Sequence, residues 1–196
     1  GGGNVGTNAC KMAVGMGANV AVLDLNTRRL AYLDDIFPKQ ITTLYASRDN
    51  VQKAVAQADL VIGAVLLPGR STPKLVRRED LKQMKPGCVI VDVAVDQGGC
   101  VETSHPTTHD KPIFQVDGVV HYCVANMPGA VARTATLALS NATLSYGLNL
   151  AKLGVEEACR QDEGLMAGLN CYGGFCTYPG VAEALKLEYV APQTLF

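Results

Sequence analysis

Gly1-Gly2-Gly3-Asn4-Val5-Gly6 opens the chain, and Asp24 closes the apolar run Ala18-Asn19-Val20-Ala21-Val22-Leu23-Asp24 eighteen residues after the last of those glycines. Glycines at 1, 3 and 6 read G-x-G-x-x-G, the turn between a strand and the helix after it in a dinucleotide-binding βαβ unit. Each glycine has a mechanical reason: the first makes the tight turn, the second lets backbone approach a pyrophosphate, and the third lets helix and strand pack closely. The helix N-terminus adds free N–H groups and the positive end of a dipole. Alone, this pattern describes many glycine-rich turns. Asp24 narrows it, because a carboxylate at the end of the second strand accepts hydrogen bonds from ribose hydroxyls. The same charge repels a 2′-phosphate, so NAD is expected over NADP, with Arg28 and Arg29 just beyond as the opposing signal.

The pattern outward from this stretch is alternating. Helical spacing of Val5, Ala9, Met12, Ala13 and Met16 precedes the 18–24 strand. A helix is predicted over 27–36, closed by Pro38, then a strand over Ile41–Tyr45 and a helix over 49–57. A buried-type strand over Leu60–Leu67 is predicted to stop at Pro68-Gly69, followed by a helix over 77–84 and an apolar strand over Cys88–Val95. Pro112–Val116 and Val119–Val124 are strand-like. Apolar strands alternating with short helices predict an α/β fold with a parallel sheet covered on both faces. No strand precedes Gly1, so the expectation is a Rossmann-type doubly wound sheet lacking its first strand, cut from something longer. Beyond Met127-Pro128 the composition shifts to a long Ala-, Thr-, Ser- and Leu-rich helix over 128–152, ending at Gly154. Short helices follow to 196, with Gly173-Gly174 and Pro179-Gly180 read as breaks. The expected division is 1–132 for nucleotide binding and 133–196 for a helical segment of a second domain.

Composition narrows the partners. Hydrophobic residues make up 48% of 196 and charged residues 18%, with net charge −1. A pI near 6.3 carries no electrostatic footprint for nucleic acid or an anionic membrane. No apolar run reaches the roughly 20 residues of a membrane span. Seven scattered cysteines, most in apolar stretches, read as free buried thiols of a reducing cytosol rather than a disulfide framework. Cys171 and Cys176 have no histidine nearby, so no metal site is expected.

Ligands of such sheets lie beyond the carboxyl ends of the strands. Ala64-Val65-Leu66, Val93-Ala94-Val95-Asp96-Gln97-Gly98-Gly99 and Val124-Ala125-Asn126-Met127-Pro128 should reach that edge. Asp96 reads either as a turn residue or as a catalyst. Asp92, inside the strand, reads as a buried structural acid.

The strings Val91–Cys100, Pro106-Thr107-Thr108-His109 and His121–Val131 resemble L-alanine dehydrogenase, as do Gly1–Ala9 and Tyr32-Leu33-Asp34-Asp35. The resemblance runs over essentially the whole chain. The nucleotide-binding subunit of proton-translocating transhydrogenase is similar in architecture but matches these strings less well. What the resemblance implies is NAD-dependent oxidative deamination of L-alanine to pyruvate and ammonia, and the reverse, by a cytoplasmic hexamer. It implies Asp96 as the catalytic acid of an Asp and His pair. Gly1, Gly3, Asn4, Val5 and Gly6 would cradle the phosphates, Asp24 with Arg29 would hold the adenosine ribose, and Val65 and Leu66 would line the adenine wall. Val93, Ala94, Val95, Asp96, Val124, Ala125, Asn126 and Met127 would surround the nicotinamide end, with Asn126 orienting substrate or carboxamide. Hydride leaves the alanine α-carbon for the nicotinamide, and carboxylate and imidazole move protons.

Two positions that the resemblance places in the cofactor site, His105 and Ser47, depart from the family pattern. His105 stands where the family usually has Arg, which removes a permanent charge and a planar donor fork, and the family serine after the third strand is displaced to Ser47 behind Ala46. The resemblance also implies that the catalytic His, and the Arg and Lys gripping the alanine carboxylate, lie upstream of Gly1. His105, His109 and His121 do not match that His, and His109 and His121 read as structural or loop residues. By themselves the 196 residues are then expected not to turn over alanine. The alternative is a transhydrogenase-like nucleotide module without chemistry on an amino acid.

Overall fold

The computed structural model describes residues 1–67 and 71–196. The predicted strand stop at Pro68-Gly69 lies outside the described residues. Packing divides the rest into two units, residues 1–67 with 71–127, and residues 128–196.

The first unit begins with α1 (Asn4–Gly15), whose N-cap is Gly3 and which has neither a side-chain cap nor an acid in its first turn. It leads into β1 (Val20–Asp24), α2 (Thr27–Ile36), β2 (Ile41–Tyr45), α3 (Arg48–Gln57) and β3 (Leu60–Gly63). Asn26 caps α2 through the Arg29 N–H, and Ser47 caps α3 through the Asn50 N–H. A short α4 (Arg78–Leu81) precedes β4 (Val89–Asp92), β5 (Ile113–Val116) and β6 (Val119–Tyr122).

Strands β1 and β2 pair in parallel as one sheet, and the other four take the order β3-β4-β6-β5. The β3–β4 and β4–β6 pairs are also parallel. Among the described residues no strand joins β1 to β3. The β5–β6 pair is antiparallel and closes the edge of an otherwise parallel sheet. Its two-residue turn is Asp117-Gly118, with φ of 49° and 81°, the primed turn that matches strand twist. Two strands end earlier than their apolar runs. Pairing of β3 with β4 stops at Gly63↔Asp92, after which Asp92 accepts the Ala94 N–H and the chain turns.

Each sheet has its own core. Cys10, Val22, Leu33 and Phe37 close α1 and α2 onto β1. Val51, Val55, Leu81, Met84, Ile90, Val101 and Val119 form the core around β4. Six of the seven cysteines are buried and all are free, Cys171 being the exposed one.

In the second unit α5 (Ala132–Gln161) kinks at Gly154, where φ is 77°. α6 (Glu163–Gly168), the hairpin β7 (Cys171–Tyr172) and β8 (Phe175–Cys176), and α7 (Pro179–Leu185) follow. Gly173 and Gly174, both at positive φ, make the hairpin turn. Pro179 starts α7 instead of breaking the chain, because a helix's first turn has no use for the N–H proline lacks. Tyr172 ties the hairpin to α5 by donating to Glu156 Oε1 at 2.6 Å, and its ring meets Phe196 edge-on at 5.2 Å.

Candidate dinucleotide site

The opening glycines sit between the carboxyl ends of β1 and β3. A Cβ on Gly1 would lie 2.8 Å from the Ala64 carbonyl oxygen and 3.1 Å from Val65 Cγ2. A Cβ on Gly6 would collide with the Gly1 carbonyl, so the third glycine is what lets α1 pack against the loop. Gly3 differs, since nothing lies within 4 Å of where its Cβ would be. That open space faces an uncapped helix start whose first N–H groups have no intrahelical acceptor. The combination suits an anion approaching the backbone.

Asp24 closes the other side. Its Oδ2 accepts the Gly2 N–H at 2.7 Å and its Oδ1 the Asn26 N–H at 2.8 Å. Burial works against the carboxylate, but the N–H donors of Asn26 and Gly2 outweigh it and hold its pKa below the ordinary carboxylate value. Each oxygen keeps a further lone pair for a hydroxyl donor. Arg29 is spent on scaffold: its Nε donates to the Gly2 carbonyl at 2.5 Å and a terminal nitrogen to Thr7 Oγ1 at 2.7 Å. Thr7 in turn donates to the Gly3 carbonyl at 2.8 Å. Sequence reading passed over Thr7 and Gly2; a buried hydroxyl just behind the glycines was the available signal.

The remaining candidates fall along the same edge. Ala46 N–H donates to the Asp24 carbonyl at 3.0 Å, so Ser47 follows the residue bonded to Asp24, with its hydroxyl committed to capping. Val65 is half-buried and Leu66 exposed, beyond the end of β3. Val93 is half-buried, while Ala94, Val95 and Val124 bury their side chains, and the Ala94 N–H and the Ala94 and Val95 carbonyls are bonded within the turn. Asp96 is exposed in a single 3-10 turn, Val95–Gln97. Ala125 is held by its N–H to the Thr107 carbonyl at 3.1 Å, and Met127 is half-buried. Asn126 takes a left-handed φ of 56°, and its carbonyl accepts from His109 Nε2 at 3.2 Å. The His105 ring lies against Phe114 with centroids 3.8 Å apart.

Behind this edge Asp92 is buried, accepting the Ala94 and Val101 N–H groups, each at 3.1 Å. His121 is fully buried between the Thr103 hydroxyl at 2.8 Å and the Val119 carbonyl at 3.0 Å, and burial lowers its pKa. Its ring is a neutral core member. Among the described residues no cluster of His, Cys, Asp or Glu could hold a metal, and no helix is long and apolar enough to cross a membrane.

Fold and edge together define a dinucleotide-binding α/β domain. The profile of the family described as Alanine dehydrogenase/PNT, C-terminal domain, matches residues 1–179. The chain belongs to that family. It is 58% identical over 194 residues to an alanine dehydrogenase of Bacillus subtilis, covering 98% of this chain and 51% of the relative. The structure of an L-alanine dehydrogenase superposes with TM-score 0.83 at 52% identity, over 95% of this chain and 51% of the other. A transhydrogenase from Sinorhizobium meliloti is more distant, at TM-score 0.71 and 27% identity, covering 91% and 48%. The chain thus spans about half the length of the relatives it matches.

Proposed function

We propose that this chain is the NAD-binding part of an L-alanine dehydrogenase, which converts L-alanine reversibly to pyruvate and ammonia. The observation that carries the cofactor is the Gly2 N–H to Asp24 contact at 2.7 Å beside an uncapped α1 N-terminus with open space at Gly3. A pyrophosphate fits the helix start, and a ribose diol fits the free lone pairs of Asp24. Gly1, Gly3, Asn4, Val5, Gly6, Asp24 and Arg29 would hold the adenosine diphosphate half, with Ser47, Val65 and Leu66 around it. Val93–Asp96, His105 and Val124–Met127 would hold the nicotinamide half. NAD, when bound, accepts the hydride from the alanine α-carbon.

The chain's own part in that chemistry is positioning and proton movement. Asp96 presents an exposed carboxylate that exchanges a proton with the reacting amine or water. Exposed Asn126 offers donors and an acceptor to orient what binds there. Residues 1–132 are proposed as the nucleotide-binding domain and 133–196 as part of the substrate domain. A cytoplasmic homo-oligomer, a hexamer as in the resembled family, is proposed on the exposed leucines of α5.

The likeness to transhydrogenase supplies the alternative, a nucleotide module without amino-acid chemistry. Asp96→Ala in the native protein separates the two. Alanine-dependent NAD reduction should fall by about 10²- to 10⁴-fold, with NAD binding retained through the adenosine diphosphate half. A wild-type protein with no alanine-dependent reduction, but with NAD binding, would leave the alternative standing.

A further inference from the structure

Residues 72–76 form no regular element, yet they are laced to the turn that carries Asp96. Thr72 N–H donates to the Gln97 carbonyl at 2.9 Å and Leu75 N–H to the Cys100 carbonyl at 2.8 Å. Val76 bridges Val101 in parallel, and Glu102 N–H returns to the Val76 carbonyl at 2.9 Å. Between these ties lies Lys74. Its ammonium donates to the Gly98 carbonyl and, at 2.8 Å, to the Gly99 carbonyl.

The loop from Ala94 to Val101 is therefore fixed along its length. Buried Asp92 accepts the N–H of Ala94 at one end and of Val101 at the other. On the part between, the Lys74 ammonium adds the side-chain tie to the backbone bonds from Thr72 and Leu75. Gly98 and Gly99 stand at φ of 90° and 74°, and a Cβ on Gly99 would lie 2.6 Å from Asp92 Oδ2, so the loop folds tightly over that acid. An ammonium suits the task, having three donors and no acceptor, and its bonds to two carbonyls are charge-assisted. Thr72 Oγ1 and Gln97 Oε1 lie buried at the same junction, without a hydrogen-bond partner among the described residues.

We propose that Lys74 is a positioning residue for Asp96, its ammonium holding the Gly98-Gly99 carbonyls so that the preceding turn presents the Asp96 carboxylate in one place. The proposal rests on the catalytic reading of Asp96 given above.

Lys74→Met in the native protein keeps the length of the stem and removes the donors. The kcat of alanine-dependent NAD reduction should drop about 10- to 100-fold, the scale of an ångström of misplacement. The Kd for NAD should stay within about 3-fold, because the Asp24 half of the site is braced separately by Gly2 and Arg29. Lys74→Arg should restore most of kcat. A second readout needs no activity. Cys100, next to Gly99, is buried against Asp92, and burial pushes its thiol up to about 12, so it resists alkylation while the turn is closed. In Lys74→Met its iodoacetamide labelling, followed by peptide mass spectrometry with Cys10 as internal reference, should rise several-fold.

An active wild type whose Lys74→Met variant keeps both kcat and Cys100 protection overturns the proposal. So does a loss of kcat that Lys74→Arg does not rescue and that leaves Cys100 protected. A wild-type protein that binds NAD but does not oxidise alanine overturns instead the reading of Asp96 on which the proposal stands, whatever Cys100 does.

Discussion

Both oxygens of Asp24 accept a backbone N–H, so one side chain shapes the glycine loop and also faces the proposed ribose. Its folded pKa lies below the unfolded value of about 3.9. The sign follows: what this carboxylate contributes is fully present above that value and is lost as pH falls through the lowered folded pKa. NAD affinity should therefore be insensitive to this group from neutral pH down to the ordinary carboxylate range, and should decline only below it. Asp24→Asn retains the shape but loses the charge, and a charge-assisted bond to a hydroxyl contributes about 1.5–3 kcal/mol. Titration calorimetry should show NAD binding weakened roughly tenfold or more. Unchanged affinity in Asp24→Asn would remove Asp24 from the cofactor site. Arg29 is a different case. Its guanidinium is engaged with Gly2 and Thr7, so it acts on the ligand through the loop it braces.

Between elements, the strongest tie in the first unit is one that no local pattern announces. Arg48 at the start of α3 grips Asp80 in α4 with two bonds of 2.6 Å, and the Arg77 N–H adds a third to the same carboxylate. Asp80 is almost fully buried, and burial would raise its pKa, but the Arg48 bonds outweigh that and lower it. Removing Arg48 leaves a buried charge with only the Arg77 N–H and the Gln52 side chain against it, and no cation. Arg48→Ala should cost about 3 kcal/mol by urea denaturation, the low end for a broken buried pair because water reaches the arginine side. In wild type the Asp80 contribution is lost only as pH falls through its lowered folded value. In Arg48→Ala the loss should begin at higher pH, and an identical stability profile for the two proteins would dismiss the pair as a stabilising contact. The 32 residues separating these partners explain why the pair was not legible, since the sequence carries the charges but not their meeting. Elements with local signals were legible: β1 from its apolar run, α2 from the Pro38 that closes it, and the glycine loop from its fingerprint. The β5–β6 hairpin had a signal too, in Asp117-Gly118 between two strand-like runs, though those runs were read without a pairing. The ends of β3 and β4 were not legible, because Val65 and Val93 are as apolar as the residues before them. Only Asp92 turning back onto Ala94 marks the stop.

At the scale of the whole molecule, α5 raises the question of what covers it. Leu137, Leu144 and Leu148 fall at i, i+7 and i+11 and are 57%, 60% and 59% exposed. Leu139 and Tyr146 form a second stripe, offset by two residues, at 66% and 45%. Two residues turn a helix through about 200°, so the stripes face nearly opposite ways. A helix apolar on both sides is ordinarily a buried one. Covering each leucine would contribute about 1.5–3 kcal/mol, so surface of this kind favours association. The proposed homo-oligomer meets that demand with further copies of the same protein. Leu144→Glu tests the first stripe and Leu139→Glu the second, because a glutamate there must be desolvated if a partner covers it. Sedimentation velocity of the native protein should report a mass of several protomers. At least one of the two variants should shift to a smaller species, with NAD binding retained, since the residues proposed to hold NAD all lie within 1–127. If both variants keep the wild-type mass while losing thermal stability, α5 is covered from within one protomer, and the exposed leucines no longer support an assembly.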